Sequence, residues 1–190
     1  MSNYTIGNIL HVFVFISDSI FIGLKILVPI ILILKILKIN YSKPNPYILI
    51  LTINLIMLSA AILFLTSISV NTLLTIKSGN SDELNFMISV ATGSHWFQFV
   101  IPVILYGLLP NVLWIKSFRK SIYIPLFIVI SWFASYFIIN YFSENNSSLF
   151  PKSVDHSPFP LMEYLKKSGV FISLLIVYYH FVKSMKMKIQ

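Results

Sequence analysis

Residues 47–76 read YILILTINLIMLSAAILFLTSISVNTLLTI, a run without a single charged side chain. The run is longer than the roughly 20 apolar residues that an α-helix needs to cross the hydrocarbon core of a bilayer. Four further apolar stretches, near or above that length, occupy residues 11–36, 87–115, 121–142 and 162–182. The sequence therefore predicts an all-α integral membrane protein with five transmembrane helices.

The composition leaves no room for a second domain. Of the 190 residues, 57% are hydrophobic and only 11% are charged, too few to cover a separate water-soluble domain. We therefore expect residues 1–190 to form a single membrane domain. The sequence contains no cysteine, which excludes disulfides, iron–sulfur ligation and thiolate zinc sites within the chain. Phosphate loops, nucleophile elbows and metalloprotease signatures are also missing from it, so we expect at most one subunit of an enzyme.

The charged residues between the stretches predict an orientation. Basic residues follow the first, third and fifth stretches, and five of the six acidic residues belong to the other loops. The positive-inside rule then puts the N-terminus outside and the C-terminus inside. The net charge of +8 is an orientation signal with some affinity for anionic lipid. Nucleic acid is excluded because no basic patch lies on a soluble domain. The basic residues are Lys35, Lys38, Lys43, Lys116, Arg119, Lys120, Lys183, Lys186 and Lys188, and the acidic ones are Asp82, Glu83, Glu144, Asp155 and Glu163.

The first stretch carries polar residues that its length does not explain. His11, Asp18 and Lys25 are spaced seven apart, which keeps them on one slowly drifting face of a helix. A charged side chain at mid-bilayer costs about 2.5 to 3.5 kcal/mol on insertion scales. Asp18 and Lys25 are therefore expected to interact with each other or to share a polar cavity with the third helix. Both a structural pair and a proton or ligand path stay open.

The third stretch supplies a second polar face. His95, Gln98, Pro102 and Tyr106 follow the spacing of one helical face, and Trp96 lies where an interfacial aromatic belt is expected. His11 and His95 open their helices near the same membrane surface. Two histidines at one depth can ligate a haem, or one can bind a quinol oxygen and take its proton. The alternative is that both are ordinary interfacial histidines.

Short motifs along the chain resemble a known family. They are similar to motifs of the NrfD-like (polysulfide-reductase-type) membrane subunits, and among these to the quinol-oxidising subunit of bacterial alternative complex III. Family members have about twice as many helices, and the chain looks like their C-terminal half. Asn111 stands where the family usually has glutamine. The motifs are Ser78-Gly79-Asn80, Ala91-Thr92-Gly93, Trp96, Pro110-Asn111-Val112-Leu113-Trp114, Arg119 and Ser121, with Pro151, Ser153, Pro160, Glu163, Gly169 and Lys183 later and Gly23 and Pro29 earlier.

The resemblance implies a multi-pass subunit of a respiratory quinol oxidoreductase in the bacterial inner membrane. It implies quinone or quinol as a substrate that is not covalently bound. The implied partners are iron–sulfur and cytochrome subunits, and a second NrfD-like chain could supply the remaining helices. In the family, the quinone pocket is built chiefly by the N-terminal four-helix bundle. No family quinone-site residue can therefore be transferred to the chain by motif.

The candidate site residues come from the two polar faces alone. His95 would accept the quinol proton and Asp18 would relay it, which makes these two the catalytic candidates. Gln98 or Tyr106 would orient the ring, and Trp96 would pack on it.

His11 is a further cofactor-binding candidate, and no metal site is predicted.

One alternative function is a non-catalytic assembly or anchoring subunit. Another is a haem-b anchor that uses His11 and His95, although we expect the isolated chain to carry no haem. An apolar, concave gap between the first and third helices, with polar groups converging at its outer end, would favour quinol binding. A gap filled by side chains would favour the anchor.

Overall fold

The computed structural model describes residues 3–36, 45–79, 96–145 and 161–187, with isolated positions at 82, 85, 88, 92 and 93. Apart from short connections, these residues are helical. The chain passes between α3 and α4 through a π-helical turn and then a 3₁₀ segment. The elements are α1 (Asn3–Ile36), α2 (Pro46–Ser78), α3 (Trp96–Pro102), the π-helix Val103–Leu108, the 3₁₀ helix Leu109–Trp114, α4 (Lys116–Arg119), α5 (Tyr123–Asn145) and α6 (Leu161–Met187).

Three of the described helices are long and apolar enough to cross a membrane. They contain the spans Asn8–Leu34, Pro46–Ser78 and Met162–Met185, with mean hydropathies of 2.2, 2.7 and 1.3. The apolar parts of the other two predicted spans, Val100–Trp114 and Tyr123–Ser135, are shorter. The described residues therefore form an all-α structure with three candidate membrane-spanning helices, and the five crossings stay a prediction.

The contacts between α1 and its neighbours give the helix directions. On α1 and α2, Phe21 contacts Phe64 while His11 shares a cavity with Asn71 further along α2. These two helices are therefore antiparallel. On α1 and α6, Asp18 pairs with Lys167, and Gly23 packs on Phe171 one turn later. From the first contact to the second, the residue number rises on both helices, so α1 and α6 run in the same direction.

Small residues allow the helices to approach closely. A side chain on Gly23 would collide with the ring of Phe171, so glycine is what lets α6 lie against α1. A Cβ on Gly107 would come within 2.5 Å of a methyl group of Leu65, which brings the π-helix against α2. Membrane helices rely on such contacts because lipid tails provide no hydrophobic drive for association.

Proline explains the irregular course of residues 96–114. Pro102 has no N–H, and its ring conflicts with the carbonyl one turn earlier, so the α-helix cannot continue unchanged. The chain widens into the π-helix Val103–Leu108 directly after it. Pro110 then follows at the start of the 3₁₀ segment. The Asn111 amide donates to the carbonyl of Gly107 over 2.6 Å and accepts the Trp114 indole N–H over 3.2 Å.

The basic corner after residue 114 is held by hydrogen bonds to the backbone. The Arg119 guanidinium donates to the carbonyls of Leu113 and Trp114 at 3.1 and 3.0 Å. Buried Asn54 on α2 donates to the carbonyl of Arg119 at 2.7 Å and, more weakly, to that of Ser121. Arg119, Ser121 and Trp114, which carried the family resemblance, thus build a structural corner.

Candidate functional site

A cavity of about 300 Å³ lies between α1, α2 and the π-helix. The volume is at the lower end of the range for small-molecule pockets. Most of the lining is apolar or aromatic, and α1 adds one carboxylate and one ammonium group. The lining residues are Asp18, Phe21, Ile22, Lys25, Phe64, Pro102 and Tyr106.

Lys25 and Tyr106 form the polar contact at one end of the cavity. The Lys25 ammonium donates to the Tyr106 hydroxyl at 3.0 Å and lies 5.2 Å from the centre of the same ring. Tyr106 belongs to the π-helix that follows Pro102, so the helix irregularity places its hydroxyl. Such π-helical turns are frequent at functional sites.

Four aromatic rings form the wall behind this contact. Tyr106 stacks on Trp132 with ring centres 5.1 Å apart and planes 7° apart. Phe21 meets both rings edge-on at 5.0 and 5.1 Å, and Phe64 meets Phe21 at 6.0 Å. The Trp132 indole N–H donates to the carbonyl of Leu105 at 2.7 Å. Offset and edge-on pairs of this kind are favourable arrangements, so the wall is rigid.

Asp18 pairs with α6. One oxygen of Asp18 lies 3.5 Å from the Lys167 ammonium, which also contacts Glu163 one turn away at 2.8 Å. The Lys167 side chain is only 14% exposed, whereas that of Asp18 is 46% exposed. The ion pairs of the described part of the chain all belong to Lys167, so Lys25 has no carboxylate partner there.

A second cavity of about 390 Å³ adjoins the first along α1 and α2. Asp18 and Phe64 line both cavities, so the carboxylate stands between them. Toward the N-terminus of α1 the second cavity reaches exposed His11, and α2 contributes Ser67 and Asn71. It has room for several water molecules. Asp18 is thus shared by a cavity that reaches His11 and a cavity that reaches Lys25.

The structure brings some of the predicted site residues together. Asp18 and Tyr106 line one cavity, and His11 and Asp18 line the other. Trp96 opens α3, is half-exposed and lines neither cavity. Gln98 falls within α3, but its side chain lies outside the described part of the chain. His95 lies outside the described residues altogether.

The expectation for Asp18 and Lys25 holds in one of its two forms. They share a cavity with Pro102 and Tyr106 of the third segment. The other form, a direct pair between them, is wrong, because Asp18 pairs with Lys167 and Lys25 donates a hydrogen bond to Tyr106. The sequence alone could not choose between these partners, since the choice depends on which helices pack side by side.

Sequence reasoning missed several residues of the site. Lys167 and Glu163 are an i, i+4 pair near the start of an apolar helix, which was a readable sign of a charged contact inside the bundle. Trp132 lies in the middle of an apolar stretch, away from the interfaces where tryptophan is usual. A buried indole N–H needs a partner, so that position signalled a packed site. Phe21 and Phe64 carried no comparable signal.

Comparisons of the chain with family models, curated proteins and solved structures gave no match.

Proposed function

We propose that the protein is a membrane-embedded subunit of a respiratory quinol oxidoreductase and that a quinone or quinol ring binds in the cavity between Lys25 and Asp18. The observation that carries the proposal is this ring-sized cavity, with aromatic walls and polar groups of opposite charge. The quinol hypothesis required a gap between the first and third segments with polar groups at its outer end; this cavity lies between them and α2, and it has polar groups at both ends. A non-catalytic anchor had instead required that side chains fill it.

The chemistry of the lining suits a redox-active ring. Phe21, Phe64 and Tyr106 offer aromatic faces for stacking. Lys25 has hydrogen-bond donors left over for a ring oxygen, since an ammonium group carries three and only one goes to Tyr106. Asp18 can accept the proton of a ring hydroxyl. The second cavity, lined by Asp18 and His11, has room for water and would give this proton a route out. The role of His95 as first proton acceptor stays a prediction.

The proposal includes five crossings of a bacterial inner membrane, with the N-terminus outside. Because α1 and α6 run in the same direction, the chain between them must cross the membrane an odd number of times. Three crossings between them, and five in all, meet this condition. With the N-terminus outside, Lys167 and Glu163 lie near the outer end of α6. Asp18 would then release protons outward. Electrons would pass to iron–sulfur or haem centres of partner subunits, with an NrfD-like chain supplying further helices.

Quinone binding can be measured on the purified full-length chain in lipid nanodiscs. A short-chain naphthoquinone quenches tryptophan fluorescence, and Trp132 stacks on the ring of Tyr106, which lines the cavity. We expect saturable quenching that Lys25→Met weakens about 10- to 100-fold, because a hydrogen bond to a charged group contributes about 1.5–3 kcal/mol. Tyr106→Phe keeps the ring and should weaken binding less.

Two variants serve as matched controls. Lys183→Met removes an exposed lysine of α6 and Tyr123→Phe removes an exposed hydroxyl of α5, both away from the cavity lining. Both should bind the quinone as the wild type does. Quenching that stays linear with quinone concentration in the wild type would reject the proposal and favour the anchoring subunit.

A further inference from the structure

We propose that the cavity is chemically polarised, so that its two ends recognise different redox forms of the ring. Lys25 with Tyr106 binds a carbonyl oxygen of the quinone, and Asp18 binds a hydroxyl group of the quinol. The inference rests on the function proposed above and assigns a residue to each form.

The Lys25 end presents hydrogen-bond donors. Its ammonium gives one proton to the Tyr106 hydroxyl at 3.0 Å, which leaves two protons for a ligand. Tyr106 accepts this bond and still carries a proton of its own. A carbonyl oxygen has two lone pairs and no proton, so it satisfies such a site. A quinol hydroxyl oxygen accepts hydrogen bonds less strongly than a carbonyl oxygen, and the only side-chain acceptor left for its proton at this end, among the described residues, is the second lone pair of Tyr106.

The Asp18 end presents an acceptor. Its carboxylate has about four lone-pair sites, and the contact with Lys167 at 3.5 Å uses one oxygen. The remaining sites can accept a quinol hydroxyl. A quinone carbonyl placed there would face an oxygen with its own lone pairs and gain no hydrogen bond. The two ends are therefore complementary to opposite oxidation states.

The spacing of the two groups allows a ring in the cavity to contact either of them, so that each redox form lies nearer to the end that suits it. Seven residues of α1 separate Asp18 from Lys25, or roughly 10.5 Å along the helix axis. Side chains of a helix lean toward its N-terminus, so the long Lys25 side chain reaches back toward Asp18. Both groups line the same cavity of about 300 Å³. Phe21 lies between them on the same helix and provides a flat wall for the ring.

The test compares equilibrium binding of one short-chain naphthoquinone with that of its anaerobically reduced quinol. The full-length chain in nanodiscs is used, and dissociation constants are measured for each form. Lys25→Met should weaken quinone binding about tenfold or more and quinol binding less than about threefold. Asp18→Asn should show the reverse pattern. Lys183→Met, remote from the cavity, should change neither constant.

Two further variants protect the test against misfolding. Tyr106→Phe keeps the aromatic wall and should lower quinone affinity selectively, to a smaller extent than Lys25→Met. Asp18→Asn combined with Lys167→Met removes the pair together, leaves only the exposed Glu163 without its partner, and should still discriminate against quinol. If the Lys25 and Asp18 variants each bind quinone and quinol with equally weakened affinity, the polarised site is wrong, although a quinone site remains. A wild type that binds neither form would instead reject the proposed function itself.

Discussion

Replacing Trp132 by phenylalanine tests whether the aromatic wall holds the bundle together. Trp132 is fully buried, stacks on Tyr106 and donates its indole N–H to the carbonyl of Leu105 at 2.7 Å. Phenylalanine keeps a ring for stacking but loses the donor. The change therefore isolates the hydrogen bond to the π-helix and the volume that the larger indole fills.

The expected cost follows from these two losses. Hydrogen bonds between membrane helices contribute on average about 0.6 kcal/mol and at most about 1.7 kcal/mol. The smaller ring leaves a void of roughly one water molecule, about 30 Å³, which at about 24 cal/mol per Å³ adds about 0.7 kcal/mol. We therefore expect the free energy of unfolding to fall by about 1.3–2.4 kcal/mol. No transfer term is added, because lipid rather than water surrounds the separated helices.

The assay is an unfolding titration in mixed micelles with increasing dodecyl sulfate, followed by far-ultraviolet circular dichroism. The other two tryptophans are matched controls, since Trp96 is 50% and Trp114 58% exposed. Trp96→Phe should change the unfolding free energy by less than about 0.5 kcal/mol. A Trp132→Phe protein as stable as Trp96→Phe would show that the reasoning about the wall is wrong.

Three further predictions concern the helix contacts and the topology. Gly23→Ala should lower the unfolding free energy by about 1–3 kcal/mol, because its Cβ collides with α6. Gly169→Ala, where a Cβ meets open space, should leave it unchanged or raise it by up to about 1 kcal/mol. Asp18→Asn should cost no more than about 1 kcal/mol, because the Lys167 ammonium keeps its shorter contact with Glu163. Lys167→Met should cost more, since it removes the contacts with both Asp18 and Glu163, and the same titration measures both variants. A single cysteine at Ser117, in the predicted inside corner, should react with an impermeant maleimide only after the membrane is opened, and labelling in intact cells would reverse the proposed orientation.

Some functional residues were predictable from the sequence of one helix, whereas others depend on contacts between helices. The heptad spacing of His11, Asp18 and Lys25 is a property of α1 alone, so it was readable from the sequence, and the three residues line two cavities that share Asp18. The partners of these groups are on other helices. Lys167 and Tyr106 lie 149 and 81 positions away in the chain from Asp18 and Lys25, and a single sequence contains no record of such contacts.

The sequence by itself determined the helical class and the membrane environment, because apolar stretches of this length have few alternatives to a helix in lipid. It also predicted that Asp18 and Lys25 would avoid lipid, since the cost of an unpaired charge in a bilayer does not depend on the fold. Only the tertiary structure decided which helix each of them faces. The close contact at Gly23 brings α6 to Asp18. The π-helix after Pro102 brings Tyr106 to Lys25, because helix packing in lipid depends on shape more than on hydrophobicity.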